Sequence, residues 1–297
     1  MTGRERGYLL LTSQLGDPER RPLSVAQFRN LARRAREMER PIRDRDLLPE
    51  DFMAMGFGRE MAERMLLLLD EKELLDYYLQ RAQRDGCIPL TKVTERYPAM
   101  VSKLLGDDAP GCLWAKGNLE LLSRPMISLV GSRDIMPRNL EFARELGRQA
   151  ALQGFVLVSG NARGADRAAQ SACLEAGGKV ICVIADHLGR IAPQENILYL
   201  SEDVYDGAFS IQRALSRNRV IHCLGSRVFV AQSGCQQGGT WDGTVRNLRQ
   251  EWNPVYCFLD GSEATELLLQ LGAEGVEIGD LNDIQSIYPR YFGLFDQ

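Results

Sequence analysis

Histidine is scarce in this 297-residue sequence, and its cysteines form no metal-binding pattern. Only His187 and His222 are present, which leaves little material for a zinc site or a histidine-based catalytic triad. The seven cysteines are odd in number and scattered, without a CxxC pair, as expected for reduced thiols in a cytosolic protein. The sequence therefore predicts no metal, no other cofactor and no disulfide framework.

Long apolar runs and an excess of basic charge are also missing. No apolar stretch approaches the ~20 residues that span a bilayer, and polar residues soon interrupt the apolar run near the N-terminus. We expect a cytoplasmic protein without a membrane partner. The net charge is −4, so an anion site must be a local patch. Such a patch fits a short single strand, a nucleotide or a partner protein better than wrapped duplex.

Helical periodicity dominates the beginning of the chain. Residues 25–38 repeat apolar side chains at i, i+3, i+4 and i+7, the spacing of an amphipathic helix. Arginines are concentrated between Arg29 and Arg45, but interleaved acids favour a solvated face with ion pairs over a nucleic-acid surface. We expect a small N-terminal helical domain over residues 1–84. A turn-rich connector with short strands, such as residues 113–116, is expected over residues 85–125.

Short and nearly continuous apolar runs alternate with helix-length segments from residue 126 onward. Runs of this kind are typical of strands covered on both faces, as in a parallel sheet. Repeated βα units predict a doubly wound, mostly parallel, Rossmann-like α/β fold over residues 126–297. The expected strands are 127–130, 155–158, 180–184, 228–230 and 255–259, and the expected helices are 139–153, 165–176, 209–223, 245–251 and 263–271.

Glycine-rich loops follow three of the expected strands, at residues 131–133, 159–166 and 233–244. In an open α/β sheet, the loops after the strands meet at one edge, where ligands bind. Glycines allow close backbone approach, and free N–H groups at helix N-termini favour anions. Three such loops at one edge favour phosphate binding over simple turn chemistry. The candidate ligands among them are Gly131, Ser132, Arg133, Ser159, Gly160, Arg163, Gly164, Gly238, Gly239 and Thr240.

The same motifs, in the same order, resemble the DprA/Smf family, a branch of the LOG-related superfamily. They are VGSR (130–133), SGNARGAD (159–166, similar to the family's SGxAxGID), GGKV (177–180) and RNRVI (217–221, similar to RNRII), after a GNLELL lead-in (117–122). Spacing alone places Arg213 and Arg217 on one helix face and Arg219 elsewhere, a pattern also found on solvated helices.

The resemblance implies a single-stranded DNA-binding protein without catalysis that loads a RecA-type recombinase during transformation or recombination and forms a homodimer. It implies that Arg133, Lys179, Arg217 and Arg219 face the DNA backbone. It also implies that Asn161 lines the pocket with the backbones of Gly160 and Gly164, and that Asn218 belongs to the same motif as Arg217.

The third glycine-rich loop departs from the family pattern. In place of SGSxxTA the chain has SGC followed by GGTWDGT, which is closer to the GGxGT phosphate loop of LOG-type phosphoribohydrolases. The glutamate expected shortly after that loop is absent, because Arg246 and Asn247 follow. We therefore expect no enzyme activity. A nucleotide-binding sensor or LOG-like enzyme that uses the same phosphate pocket is the alternative.

Three further residues have two interpretations each. Asp166 is a candidate base, or a favourable charge at a helix N-terminus. His187 lies on the rim of the site, or is a solvated loop residue. Trp241 stacks on a base or covers the sheet.

Overall fold

The computed structural model describes residues 1–38 and 47–288. The last three arginines of the segment expected to form a solvated face, Arg40, Arg43 and Arg45, lie outside these ranges. Within them the chain forms one nine-stranded sheet, in the order β1-β2-β6-β5-β4-β3-β7-β8-β9. The strands are β1 (Ile88–Thr91), β2 (Cys112–Gly117), β3 (Met126–Val130), β4 (Val156–Ser159), β5 (Lys179–Ile184), β6 (Ile197–Glu202), β7 (Val228–Val230), β8 (Val255–Phe258) and β9 (Glu274–Val276).

Helices precede the sheet and alternate with its strands. In chain order they are α1 (Gly3–Thr12), α2 (Val25–Arg36), α3 (Pro49–Ala54), α4 (Arg59–Asp70), α5 (Lys72–Arg84), α6 (Ala99–Leu105), α7 (Pro137–Leu152), α8 (Ala165–Glu175), α9 (Ile211–Leu224), α10 (Gly238–Gln250) and α11 (Glu263–Gln270). Within the described ranges, no helix is both long and apolar enough to cross a membrane.

The strands from β3 to β9 run parallel, and β1 and β2 pair antiparallel at one edge. The chain winds from β3 through β4 and β5 to β6, then crosses to β7 on the other side of β3. The doubly wound, mostly parallel Rossmann-like fold is thus confirmed. The order reverses at β3, and ligands bind at such a switch point in open α/β sheets.

Alternate side chains of each strand enter two separate cores. Leu157 packs with Phe142 of α7 and Ala169 of α8 on one face of the sheet. Val158, the next residue, packs with Val220 of α9 on the other face. Because both faces are covered, the central strands read as continuous apolar runs, which is why the sequence revealed them.

The N-terminal helices pack around a small core of their own and against the sheet. Tyr78 of α5 lies edge-on to Trp114 of β2, with ring centroids 5.5 Å apart. The first arginines are ion-paired, since Arg29 lies 3.2 Å from Asp107 and Arg33 lies 3.4 Å from Glu37. These contacts agree with the expectation of a solvated face. The domain boundaries at residues 84 and 125 stay a prediction.

Some elements differ from the sequence-based predictions. The strands β1 and β2 of the expected connector extend the sheet itself, and β6 and β9 were not predicted. The helix α10 begins at Gly238, seven residues before the expected start. Glycine-rich sequence has low intrinsic helix propensity, but here Trp241 and Val245 pack into the core and override that preference.

Candidate phosphate-binding site

Two adjoining cavities lie at the carboxyl edge of the sheet. The first, the arginine cavity, has a volume of about 670 Å³ and is lined by Arg133, Arg163, Arg167, Arg190 and Arg217 together with Asn161 and Phe209. The second, the glycine cavity, has a volume of about 600 Å³ and is lined by Gly131, Ser132, Asn218, Gly238, Gly239 and Thr240, among others. Arg133, Ala162, Phe209 and Arg217 line both, so the cavities form one groove. Both volumes lie in the usual range of small-ligand sites.

The loop between β4 and α8 is fastened by Asp166. Its Oδ2 accepts hydrogen bonds from the N–H groups of Gly160 (3.0 Å) and Ala162 (3.1 Å). Asn161, between them, adopts a left-handed conformation with φ of 55°. The side chain of Asp166 is thus a structural acceptor at the start of α8. This favours its interpretation as a favourable charge at a helix N-terminus over that as a catalytic base. Burial raises the pKa of Asp166, and the nearby Arg217 charge opposes that rise.

Gly164 completes this loop by close packing, not by facing the ligand. Its φ of 85° favours glycine, and a Cβ there would collide with the carbonyl oxygens of Ser132 and Arg133. The Ser132 carbonyl also accepts from Ala165 N–H at 3.1 Å. The loops after β3 and β4 therefore hold each other in place.

Arg217 lies under this loop and forms the shared wall of the two cavities. Its side chain comes from α9, is 7% exposed, and would overlap any Cβ placed on Gly160. Within residues 1–38 and 47–288, the guanidinium makes no hydrogen bond and no ion pair, and its Nε is buried without a partner. Burial lowers the pKa of Arg217 while the Asp166 charge raises it, and an arginine stays charged in either case. A buried guanidinium with free donors is a receptor for an anion.

Other cations surround the arginine cavity. Of its lining residues, only Asp186 is acidic, against five arginines. Arg163 pairs with Asp134 at 2.9 Å in an exposed position. In the part of the chain that the structure describes, the side chains of Arg167 and Arg190 have no ion-pair partner. A strongly basic patch thus exists on a chain whose net charge is −4.

The glycine cavity ends at the N-terminus of α10. Gln237, the residue before the helix, makes no side-chain cap hydrogen bond, and the first turn has no acidic residue. The Asn218 amide donates to the Gly239 carbonyl at 2.9 Å and holds this turn beside α9. Because the first N–H groups of a helix have no intrahelical acceptor, those of Gly239 and Thr240 are free to bind an anion.

Two predicted DNA-backbone residues lie elsewhere. Lys179 begins β5, so it lies at the opposite edge of the sheet from the loops that follow the strands. Arg219 lies two residues beyond Arg217, about 200° around the helix. Its guanidinium donates to Asp108 O at 2.6 Å and pairs with Glu202. Neither cation therefore lines the groove with Arg133 and Arg217. Ser159 is also internal, where its hydroxyl accepts from Gln170.

The structure adds residues that motif analysis missed. Phe209 lies between the cavities with 49% of its surface exposed and the Arg133 guanidinium 5.9 Å from its ring centre. Arg167 directly follows the SGNARGAD motif, and Arg190 lies in the loop after β5. Because the loops that follow parallel strands meet at the ligand-binding edge of the sheet, the sequence could have indicated both residues. His187 lines the arginine cavity.

Trp241 is buried in the core beside the sheet, which favours the covering interpretation. Among the residues with described positions, no group of three or more histidine, cysteine, aspartate or glutamate side chains is arranged to hold a metal.

Comparison with known proteins places these features in a family context. Residues 89–284 match the model of the DNA recombination-mediator protein A family. DNA processing protein DprA of Streptococcus pneumoniae is 33% identical over 62% of this chain and 68% of its own length. The Bacillus subtilis protein of the same name is 30% identical, over 57% of this chain and 59% of its own length.

Solved structures give the same picture of the fold. The X-ray structure of the Streptococcus pneumoniae protein superposes with a TM-score of 0.71 and 24% identity over 97% of this chain and 99% of that one. A structure that concerns the single-stranded DNA binding mode of DNA processing protein A from Helicobacter pylori superposes with a TM-score of 0.57 and 25% identity. It covers 68% of this chain and 97% of that one.

Asp166→Asn should destabilise the protein by about 1.5–3 kcal/mol, because two backbone N–H groups lose a charged acceptor. The Arg217 guanidinium loses its nearby negative charge in the same variant. Urea unfolding monitored by circular dichroism measures the change. The matched control is Asp134→Asn, whose carboxylate is exposed and should contribute less than about 1 kcal/mol. Equal stabilities of the two variants would contradict a structural role for Asp166.

Proposed function

Because this chain belongs to the DNA recombination-mediator protein A family, we propose that it binds single-stranded DNA in the groove at the carboxyl edge of its sheet. The observation that carries the proposal is Arg217, a buried guanidinium without an ion-pair partner among the described residues, on the wall of both cavities. A backbone phosphate would provide the acceptor that this side chain lacks.

The nature of the ligand is supported by relatives and by the charge pattern. The Helicobacter pylori protein binds single-stranded DNA, and its sequence is 25% identical to this chain. Five arginines line one concave cavity that has a single acidic lining residue, on a chain of net negative charge. A groove of this kind fits a flexible strand better than a rigid duplex, which would need a broader basic face.

We assign the DNA contacts by where each side chain lies. Arg133, Arg163 and Arg217, together with the Asn161 backbone, form the phosphate-binding part, and Arg167 and Arg190 extend it. Gly160 lines the same cavity and leaves room for Arg217, while its own N–H donates to Asp166. Phe209 provides an exposed ring on which a base can stack. Gly131, Ser132, Asn218, Gly238, Gly239 and Thr240 line the neighbouring cavity. The proposed contacts do not include Lys179 and Arg219, which lie outside the groove. They also do not include Ser159 and Gly164, which pack against other parts of the protein beneath the groove.

We propose binding without hydrolysis. A carboxylate that activates water must be free to take a proton at the reacting atom. Among the acids that line the groove, Asp166 is occupied by two N–H groups and Asp134 is paired with Arg163. Asp186 accepts the N–H of His187 at 2.7 Å.

Family membership extends the proposal to partners. We propose that the bound strand is handed to a RecA-type recombinase during DNA uptake or recombination, and that the protein acts as a homodimer. The recombinase partner and the homodimer are both implied by the family resemblance.

Single-stranded oligonucleotide should bind more tightly than duplex of the same sequence. Its affinity should fall with salt, with a log–log slope of magnitude about 0.7 for each phosphate neutralised. Fluorescence anisotropy titrations of labelled oligonucleotides at several salt concentrations measure both quantities. Equal affinity for the two forms, or binding that salt does not change, would contradict a basic groove for single strands.

Phe209→Ala should weaken binding of the single strand by about 1–3 kcal/mol, the contribution of one stacked base. Phe209→Tyr keeps a ring at the same position and should bind nearly as the unmodified protein does. Tyr77→Ala is the matched control and should leave binding unchanged, because it removes another exposed ring, from α5, that lines neither cavity. Fluorescence anisotropy titrations with a single-stranded oligonucleotide measure the affinity of each variant. An Ala variant at position 209 that binds as well as the Tyr variant would rule out stacking there.

A further inference from the structure

The glycine cavity, which shares Arg217 with the proposed DNA groove, has an anion-binding end at the N-terminus of α10. Gly238, Gly239 and Thr240, the first three residues of α10, line it, and the helix is uncapped. Free N–H groups and the helix dipole at that end favour a negative charge. The helix has 13 residues, long enough for the dipole to act.

A second and independent feature points into the same cavity. The buried Arg217 guanidinium, without a hydrogen-bond or ion-pair partner among the described residues, lines it together with the helix terminus. Two acids also line the cavity, but both are engaged. Asp134 pairs with Arg163, and Asp166 accepts two backbone N–H groups. Neither acid pairs with the Arg217 guanidinium, which is left to bind an anion.

The remaining wall is apolar. Ile211 and Leu215 are one helical turn apart on α9, and together with Phe209 they line the cavity while remaining 73%, 45% and 49% exposed. An anion-binding end beside an unpartnered apolar wall suits a ligand with a phosphate at one end and a flat, weakly polar group at the other. A cavity of about 600 Å³ has room for one nucleotide.

We propose that the glycine cavity binds the 5′-phosphomonoester of a nucleotide, with its phosphate between the N-terminus of α10 and Arg217. A monoester is favoured over a diester because it has three terminal oxygens and a second negative charge. These oxygens match the N–H groups of Gly239 and Thr240, the Arg217 guanidinium and the nearby hydroxyls of Ser132 and Thr240. The monoester belongs either to a free nucleoside monophosphate or to the 5′ end of a strand.

Calorimetric titration of the full chain with dAMP and with deoxyadenosine tests the site. Thr240→Glu places a carboxylate at the third position of α10, where it favours the helix but repels a phosphate. Thr240→Gln has the same size without the charge. We expect dAMP to bind about tenfold more tightly than deoxyadenosine, and Thr240→Glu to bind dAMP about tenfold more weakly than Thr240→Gln. Equal affinities in either comparison would overturn the proposal.

Oligonucleotides with a 5′-phosphate or a 5′-hydroxyl distinguish the two sources of the monoester. A preference for the 5′-phosphate that Thr240→Glu abolishes assigns the site to strand ends. Binding of dAMP without any such preference assigns it to free nucleotides. The 5′-hydroxyl oligonucleotide tests the DNA groove by itself, so failure of the groove proposal and failure of the phosphomonoester site are separable.

Discussion

The burial of one positive charge under a backbone loop constrains the whole site. Arg217 lies against Gly160, where a side chain would displace it, and Asp166 fastens the loop above it while opposing the effect of burial on its pKa. Removing a guanidinium from water without a partner is unfavourable. The fold tolerates this because α8, α9 and the loop after β4 are fixed by packing on both faces of the sheet.

The same guanidinium joins two cavities of different character. On one side, arginines surround a concave space and Phe209 provides an exposed ring. On the other side, the uncapped end of α10 and an apolar wall line the same cavity. An acidic chain can therefore have a basic groove at one edge of its sheet, because the local arrangement of charged groups, and not the net charge, determines the electrostatic potential there.

Much of this arrangement is predictable from the sequence, and the failures have identifiable physical causes. The continuous apolar runs predict the central strands. The position of the glycine-rich loops directly after these strands predicts that they meet at one edge of the sheet. Motif order alone does not tell which side of a helix or which end of a strand a cation occupies, so it groups Lys179 and Arg219 with Arg217. The early start of α10 depends on the tertiary packing of Trp241, and Phe209 belongs to no motif.

The most direct test of the central claim is the stabilisation of the protein by DNA in the presence and absence of the Arg217 charge. A ligand that binds the folded state raises its melting temperature as the ligand concentration rises. The unmodified protein and Arg219→Met, whose charge pairs with Glu202 away from the groove, should both show this rise with a single-stranded oligonucleotide. Arg217→Met should lose most of it. An equal rise in Arg217→Met would contradict the account.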